Sequence, residues 1–251
     1  MSNGIRIATW NLDRSGIRGK ARLAPQLEFL KSVDADILVL TETHELVKHF
    51  GYNYYLASEL DPGYHKVGES CATIWSRFPM TEIPTATENR YFTVCAEIQG
   101  PPGIGNVIVY GTIITYHGDG VSQCVPVWSR HRAAVKSQVA EWNALALRYS
   151  NRMRVVAGDF NENLDGRHWY GVADAKDALR IGLVAADMHC PTAAPDLSLF
   201  NSPGSLSRST VNHVCVSNGK AKVTGVQAWE GTQAGVALSD HNGILVDFAI
   251  S

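Results

Sequence analysis

The stretch Arg154-Val155-Val156-Ala157-Gly158-Asp159-Phe160-Asn161 closes a run of small apolar residues with a glycine, a carboxylate and an amide. The apolar residues read as a buried strand, and the glycine lets the chain turn so that Asp159 and Asn161 emerge at its end. Taken alone, the segment reads more simply as a Gly-Asp turn closed by an Asx bond. The same layout recurs, however. A strand-like run over Ile5 to Trp10 leads into Asn11 and Asp13, one over Ile37 to Leu40 into Glu42, and one over Val107 to Thr115 into His117. Asn212 falls near the start of another such run, Thr210 to Val216, and Ser239-Asp240-His241-Asn242 precedes the last. Strand ends are where α/β proteins gather ligand and catalytic groups. Oxygen donors from Asn, Asp and Glu without a thiolate suit Mg2+, Mn2+ or Ca2+ far better than zinc, which leaves the imidazoles for phosphate contact or proton transfer.

The elements that must position these groups alternate between strand and helix. Leu23, Leu27 and Leu30 recur at helical spacing up to Val33, with Pro25 expected in the first turn. The continuous apolar run Ile37-Leu38-Val39-Leu40 follows, as in a strand covered on both faces. Residues 51–70, rich in Tyr, Gly and Asp, read as a long loop before a strand at Cys71 to Trp75. Strands over Arg90–Ile98 and Val107–Thr115, separated by Gly100-Pro101-Pro102-Gly103, predict a hairpin. Ser129 to Tyr149 has the apolar spacing of an amphipathic helix with Ser129 as its N-cap, and Asp174 is expected to cap a shorter helix ending at Gly182. Residues 190–210 read as a loop, followed by strands over Thr210–Val216, Lys222–Trp229 and Gly243–Ile250. No linker or composition break divides residues 1–251, so one domain is expected.

The formal charge of −2 excludes a strongly basic protein that holds nucleic acid non-specifically. Local charge is different: Pro126 to Arg154 carries six basic residues against Glu141, a net +5. This is either a phosphate-facing surface or a solvated helix face, and the second is the commoner arrangement. Five widely spaced cysteines show no metal-ligand spacing and read as reduced thiols. The N-terminus resembles no leader and no apolar run reaches spanning length, so a cytoplasmic protein without a membrane span, and a monomer, is expected.

Trp10-Asn11 followed by Asp13, Glu42 after its apolar strand, Ser76-Arg77-Phe78-Pro79, Gly158-Asp159-Phe160-Asn161 and Ser239-Asp240-His241 occur in this order almost end to end. Each piece is weak by itself, but the ordered set resembles the endonuclease/exonuclease/phosphatase superfamily, with its deoxyribonuclease I-like fold. The resemblance implies an α/β (α+β) fold built as a four-layer αββα sandwich: two mixed β-sheets packed face to face, helices outside, and the site at one end. It also implies divalent-metal-dependent hydrolysis of phosphoesters, with Mg2+ as cofactor and Mn2+ as the alternative. Glu42 matches the main metal ligand, and Asn11 and Asp240 match groups that complete or support the shell. Asp159 matches the residue that activates or orients the attacking water, and Asn161 the amide that donates to a phosphoryl oxygen. His241 and His117 match the imidazoles flanking the phosphate. One position departs from the pattern. Asn212 stands where the family carries an Asp that holds the catalytic histidine; an amide can accept the imidazole N–H but cannot offset an imidazolium with a full charge.

The leading reading is therefore a metal-dependent phosphodiesterase, with a nuclease the favoured subclass and nucleic acid a candidate partner. Asp13 and Arg130 are candidate substrate contacts, and Trp128 and Trp169 could stack a base, although such aromatics more often anchor loops. A phosphatase or phosphodiesterase acting on a small-molecule or phospholipid ester is the alternative. A binding protein with catalysis attenuated at Asn212 is the reading of another class.

Overall fold

The computed structural model describes residues 4–14, 20–47, 51–167 and 169–249; Ile250, placed above at the end of the last strand, lies outside them. Its strands are β1 (Gly4–Asn11), β2 (Ile37–His44), β3 (Tyr54–Ala57), β4 (Glu69–Ser76), β5 (Met80–Glu82), β6 (Thr93–Gln99), β7 (Asn106–Ile113), β8 (Met153–Asp159), β9 (Met188–His189), β10 (Ser198–Leu199), β11 (Asn212–Ser217), β12 (Lys222–Trp229), β13 (Thr232–Gln233), β14 (Val236–Ala237) and β15 (Gly243–Ala249). The helices are α1 (Lys20–Val33), α2 (Ser129–Arg148) and α3 (Ala173–Ala185). One mixed sheet has the order β10-β12-β15-β1-β2-β4-β3, the other β5-β6-β7-β8-β11-β9, and β13 and β14 form a small ribbon.

Period-two alternation sorts the side chains into layers. Ile5 and Ile7 of β1, Ile37 and Val39 of β2, and Ile74 of β4 point inward to meet Val94, Val107, Val109, Val155 and Val214 of the other sheet. The opposite faces are covered by helices. Trp10, Leu38 and Leu40 pack with Leu30 and Val33 of α1, while Tyr110 and Val156 pack with Val135 and Trp142 of α2 and Leu179 of α3. Both sheets are thus buried on both sides, which is why β2 reads as an unbroken apolar run. This is the expected α/β sandwich of four layers.

The departures are local. Residues 51–70 contain the edge strand β3, whose four residues pair with β4 but are too short for a periodic signal. The three-residue β5 extends the second sheet in the same way. Helix α1 starts at Lys20, which places Pro25 in its second turn. Ser129 does not cap α2: Trp128 does, in the left-handed conformation, with its N–H given to the carbonyl of His117. Val172 rather than Asp174 caps α3, and Asp174 pairs with Arg132. Gly182 lies inside α3 because α3 packs closely on α2: a Cβ there would stand 2.5 Å from Val139. Three cations of the +5 segment are paired, Arg130 with Asp119, Arg132 with Asp174 and Arg152 with Glu97, and Lys136 and Arg148 are exposed. Arg154 is buried and donates to the carbonyls of Tyr149 and Ala186, so the solvated-face reading holds for most of this stretch. None of the five cysteines forms a disulfide, and no described helix is long and apolar enough to cross a membrane.

Topology brings the polar strand ends together. β1 runs parallel to β2, with Asn11 opposite Thr41, and β7 runs parallel to β8, with Ile113 opposite Asp159. β15 and β11 are antiparallel to them, so the segment before Gly243 and the start of β11 arrive at the same end. At that end Gly158 adopts φ 143°, and a Cβ on it would lie 1.8 Å from the Thr112 carbonyl oxygen of β7. Gly158→Ala is expected to cost about 2–4 kcal/mol through strain plus overpacking, read from chemical denaturation. An unchanged unfolding midpoint would show that the β7–β8 contact is not this tight.

Candidate active site

At the shared end of the sandwich one amide joins two acids from different sheets. Asn11 Nδ2 donates to Glu42 Oε1 at 3.1 Å and to Asp159 Oδ2 at 3.0 Å, while Asn11 Oδ1 accepts the Asp13 N–H at 2.8 Å. Because that main-chain N–H can only donate, it fixes the amide with its nitrogen toward the carboxylates. Asp159 is buried, and its Oδ1 accepts the Asn161 N–H at 2.9 Å. Asn161 Nδ2 donates to the Ile114 carbonyl at 2.9 Å and to Asp159 Oδ2 at 3.3 Å, so both of its N–H bonds brace the strand end. Asp13, Glu42 and Asn161 all have φ near +50°. Such backbones are uncommon away from glycine and persist where their surroundings hold them, as at sites that must aim side chains.

Electrostatics here is a contest. Burial pushes the Glu42 carboxyl above its ordinary range; the Asn11 hydrogen bond opposes this, the Asp159 charge adds to it, and Arg14 and His241 pull it back. Arg14 Nε lies 3.2 Å from Glu42 Oε2.

His241 is delivered by the loop before β15. Trp10 Nε1 donates to the His241 carbonyl at 2.9 Å, and Ser239 Oγ donates to the Asn11 carbonyl at 2.7 Å and accepts the His241 N–H at 3.0 Å. The ring stands with Nδ1 3.9 Å from Asp159 Oδ2 and Nε2 3.8 Å from Asp240 Oδ1. Asp240 itself has a side chain 71% exposed. Asn212 is buried beside this ring, with Nδ2 3.0 Å from the Asn242 carbonyl and 3.1 Å from His241 Nδ1. A carbonyl only accepts, so Asn242 turns the Asn212 nitrogen toward the ring. Nδ1 is then the acceptor and Nε2 carries the hydrogen. The expectation that this amide accepts from the imidazole is reversed. His213, next in sequence, points away into the core, toward the Glu162 carbonyl and Thr192.

The other candidates fall around this centre. His117 is exposed on the loop after β7, with Nδ1 3.0 Å from the Tyr170 hydroxyl. Trp128 packs against His117, His131 and Tyr170 and supports that loop. The Asp13 carboxylate is engaged by Arg22, and Arg130 is held by Asp119 and Gln123. Trp169 is 48% exposed and lines a cleft of about 230 Å³ together with Asn161, Tyr170, Arg208 and His241. Arg208 was not among the sequence candidates: it sits in a Ser-rich loop, and nothing in its neighbours' identities marks it. Its guanidinium lies 5.1 Å from the Trp169 ring and donates to the Asp240 carbonyl.

Residues 8–241 match the Endonuclease/Exonuclease/phosphatase family. The chain belongs to this family. Solved structures agree on the fold. An endonuclease/exonuclease/phosphatase from Beutenbergia cavernae is 17% identical, with a TM-score of 0.64 over 99% of this chain and 72% of the other. The human Nocturnin catalytic domain with bound sulfate anion is 14% identical at TM-score 0.69, over 99% and 94%. An AP endonuclease from Leishmania major is 14% identical at TM-score 0.69, over 98% and 88%. Compared by sequence with curated proteins, the chain has no match.

Enzymes of the endonuclease/exonuclease/phosphatase family generally use divalent metals. Among the described residues no three His, Cys, Asp or Glu side chains converge into a ready-made metal cluster. The donor set nevertheless fits a hard cation that keeps most of its water, for which one or two carboxylates suffice. Glu42 and Asp159 are two acids sharing one neutral amide, a negative excess that a cation relieves. The geometry predicts that neutral His241 carries its hydrogen on Nε2 and that Asn212→Asp moves it to Nδ1. Ring 15N chemical shifts separate the two forms, and an Nδ1-protonated ring in the unaltered protein would sink this assignment.

Proposed function

We propose that the protein is a divalent-metal-dependent phosphoester hydrolase, with a phosphodiesterase or nuclease activity favoured, working by in-line attack of water on phosphorus. The observation that carries this reading is the Asn11 amide holding Glu42 and Asp159 together at the strand ends, with His241 beside them. Glu42 and Asp240 would hold Mg2+, with Mn2+ as the alternative. Bound there, the cation would offset charge developing on the phosphoryl and leaving oxygens. Asn11 positions the acids through its nitrogen, and its oxygen, which accepts the Asp13 N–H, keeps a second lone pair that would complete the shell.

The chain's own groups supply the rest. Asp159 receives hydrogen bonds from Asn11 and Asn161, which aim its remaining acceptor capacity, and it orients the attacking water as general base. Asn161 acts chiefly by bracing Asp159, a change from the phosphate-donor role expected from its motif. With Nδ1 occupied by Asn212, neutral His241 is a donor through Nε2 and suits a phosphoryl oxygen. His117, oriented by Tyr170, offers a second imidazole on the rim.

Hydrolysis of a small-molecule or phospholipid phosphoester is the second reading, supported by the net charge of −2 and the cleft volume of about 230 Å³. The two are separated by turnover on plasmid DNA, abasic duplex, RNA and chromogenic phosphoesters, each with Mg2+, Mn2+ and EDTA. Activity is expected with metal and not with EDTA. Asp159→Ala, compared at equal folded fraction, is expected to lower turnover by about 10²–10⁴. Near-normal activity of that variant overturns the role of Asp159, and silence of the unaltered protein on every substrate promotes the binding-protein reading.

A further inference from the structure

The Trp169–Arg208 wall of the cleft is not explained by holding the fold together. The loop that carries Trp169 is pinned without its ring: Asn163 Oδ1 accepts the Tyr170 N–H at 2.9 Å, Glu162 Oε1 accepts the Val172 N–H at 2.9 Å, and Asp165 Oδ2 accepts from Ser209 Oγ at 2.6 Å. The indole is left 48% exposed, beside groups assigned above to the reacting centre. The ring touches Tyr170, with 5.9 Å between centroids, and the Arg208 guanidinium, and the part left in solvent is suited to a ligand.

Arg208 adds a charge of the right sign. Neighbouring arginines at this end are neutralised: Arg14 by Glu42, Arg22 by Asp13, Arg130 by Asp119 and Arg167 by Asp196. Among the described residues Arg208 makes no ion pair with a carboxylate; its guanidinium meets only a main-chain oxygen and the face of Trp169. Because that oxygen belongs to Asp240, the free cation stands one residue from His241.

We infer that Trp169 and Arg208 form a subsite for a nucleotide, the base stacking on the indole and a phosphate taking the guanidinium. The chemistry selects against the other ester classes open to this fold. A choline-type cation is repelled by an unneutralised arginine, and a saturated polyol offers the indole only C–H groups where a base offers a π-face. A planar base with an adjacent anion matches both walls, while buried Val211 supplies an apolar side to the cleft. The inference rests on the phosphoester reading only in placing the scissile group next to His241; nucleotide binding is measurable without turnover.

The test is equilibrium binding in EDTA, by titration calorimetry, of adenosine 5′-monophosphate and of ribose 5-phosphate. The nucleotide is expected to bind between about fivefold and a hundredfold more tightly than the sugar phosphate, the range expected for stacking one base. W169A is expected to erase that ratio and W169F to retain part of it, which separates loss of the ring from misfolding. R208Q is expected to weaken both ligands by a similar factor. Equal affinity for the two ligands, no nucleotide binding at millimolar concentration, a preference that survives W169A, or an R208Q variant that binds both ligands like the unaltered protein would each overturn the subsite. Base-selective binding without turnover on any phosphoester would overturn the function above and leave the subsite standing.

Discussion

The two hydrogen bonds from Asn11 Nδ2 are the constraint on which the candidate site depends, because they tie together carboxylates that belong to different sheets. Glu42 ends on the same sheet as Asn11, whereas Asp159 ends a strand of the opposing one. Interdigitated Val and Ile side chains hold the two sheets together, but apolar contacts are not directional and do not aim polar groups at the sheet ends. A bifurcating amide is directional. It fixes the separation of the acids, and the Asp13 N–H fixes the amide in turn. The loop carrying Asp240 and His241 is then strapped to the same strand by the Trp10 indole and the Ser239 hydroxyl. β1 therefore makes direct hydrogen bonds to three other polar segments: Glu42, Asp159 and the loop carrying His241.

This arrangement has an electrostatic cost, and the cost is informative. Two acids near one another, one buried, disfavour full ionisation, and the Glu42 carboxyl is raised mainly because burial removes it from water. A cation bound as proposed above would relieve that cost. Arg14 supplies part of that charge from the Glu42 side, but it is itself shared with Glu69. Asn212 works in the other sense. By donating to His241 it holds the ring without adding a third negative charge to the cluster. Asn at this position thus changes which ring nitrogen carries the hydrogen rather than simply removing a holder.

Much of the fold was legible because it follows from local patterning. Doubly covered strands such as Ile37-Leu38-Val39-Leu40 have to be continuously apolar, and the ordered polar exits carried the family. Short edge strands escaped because β3 and β5 have four and three residues and take their conformation from the neighbour they pair with. Helix ends were misplaced where tertiary contacts set them: Trp128 caps α2 because the His117 carbonyl holds it, and Gly182 serves packing on Val139. Arg130, a candidate from the sequence, and Arg208, which was not one, look alike in sequence. Only the fold gives Asp119 to the first and leaves the second facing a tryptophan.

The sequence by itself determined the family, the sandwich and the identities of the polar groups at the strand ends, because backbone period and residue type are local properties that survive without coordinates. The tertiary structure decided what each group faces. Orientation of an amide depends on whether a fixed N–H or carbonyl stands beside it, as at Asn11 and Asn212. Availability of a charge depends on whether a carboxylate 11 residues away, or none, arrives within reach, as at Arg130 and Arg208. The partners of Asn212 and Arg208 lie 30 and 32 residues away and reach them only once the sheets have closed on each other, whereas those of Asn11 and Arg130 come from nearer in the chain.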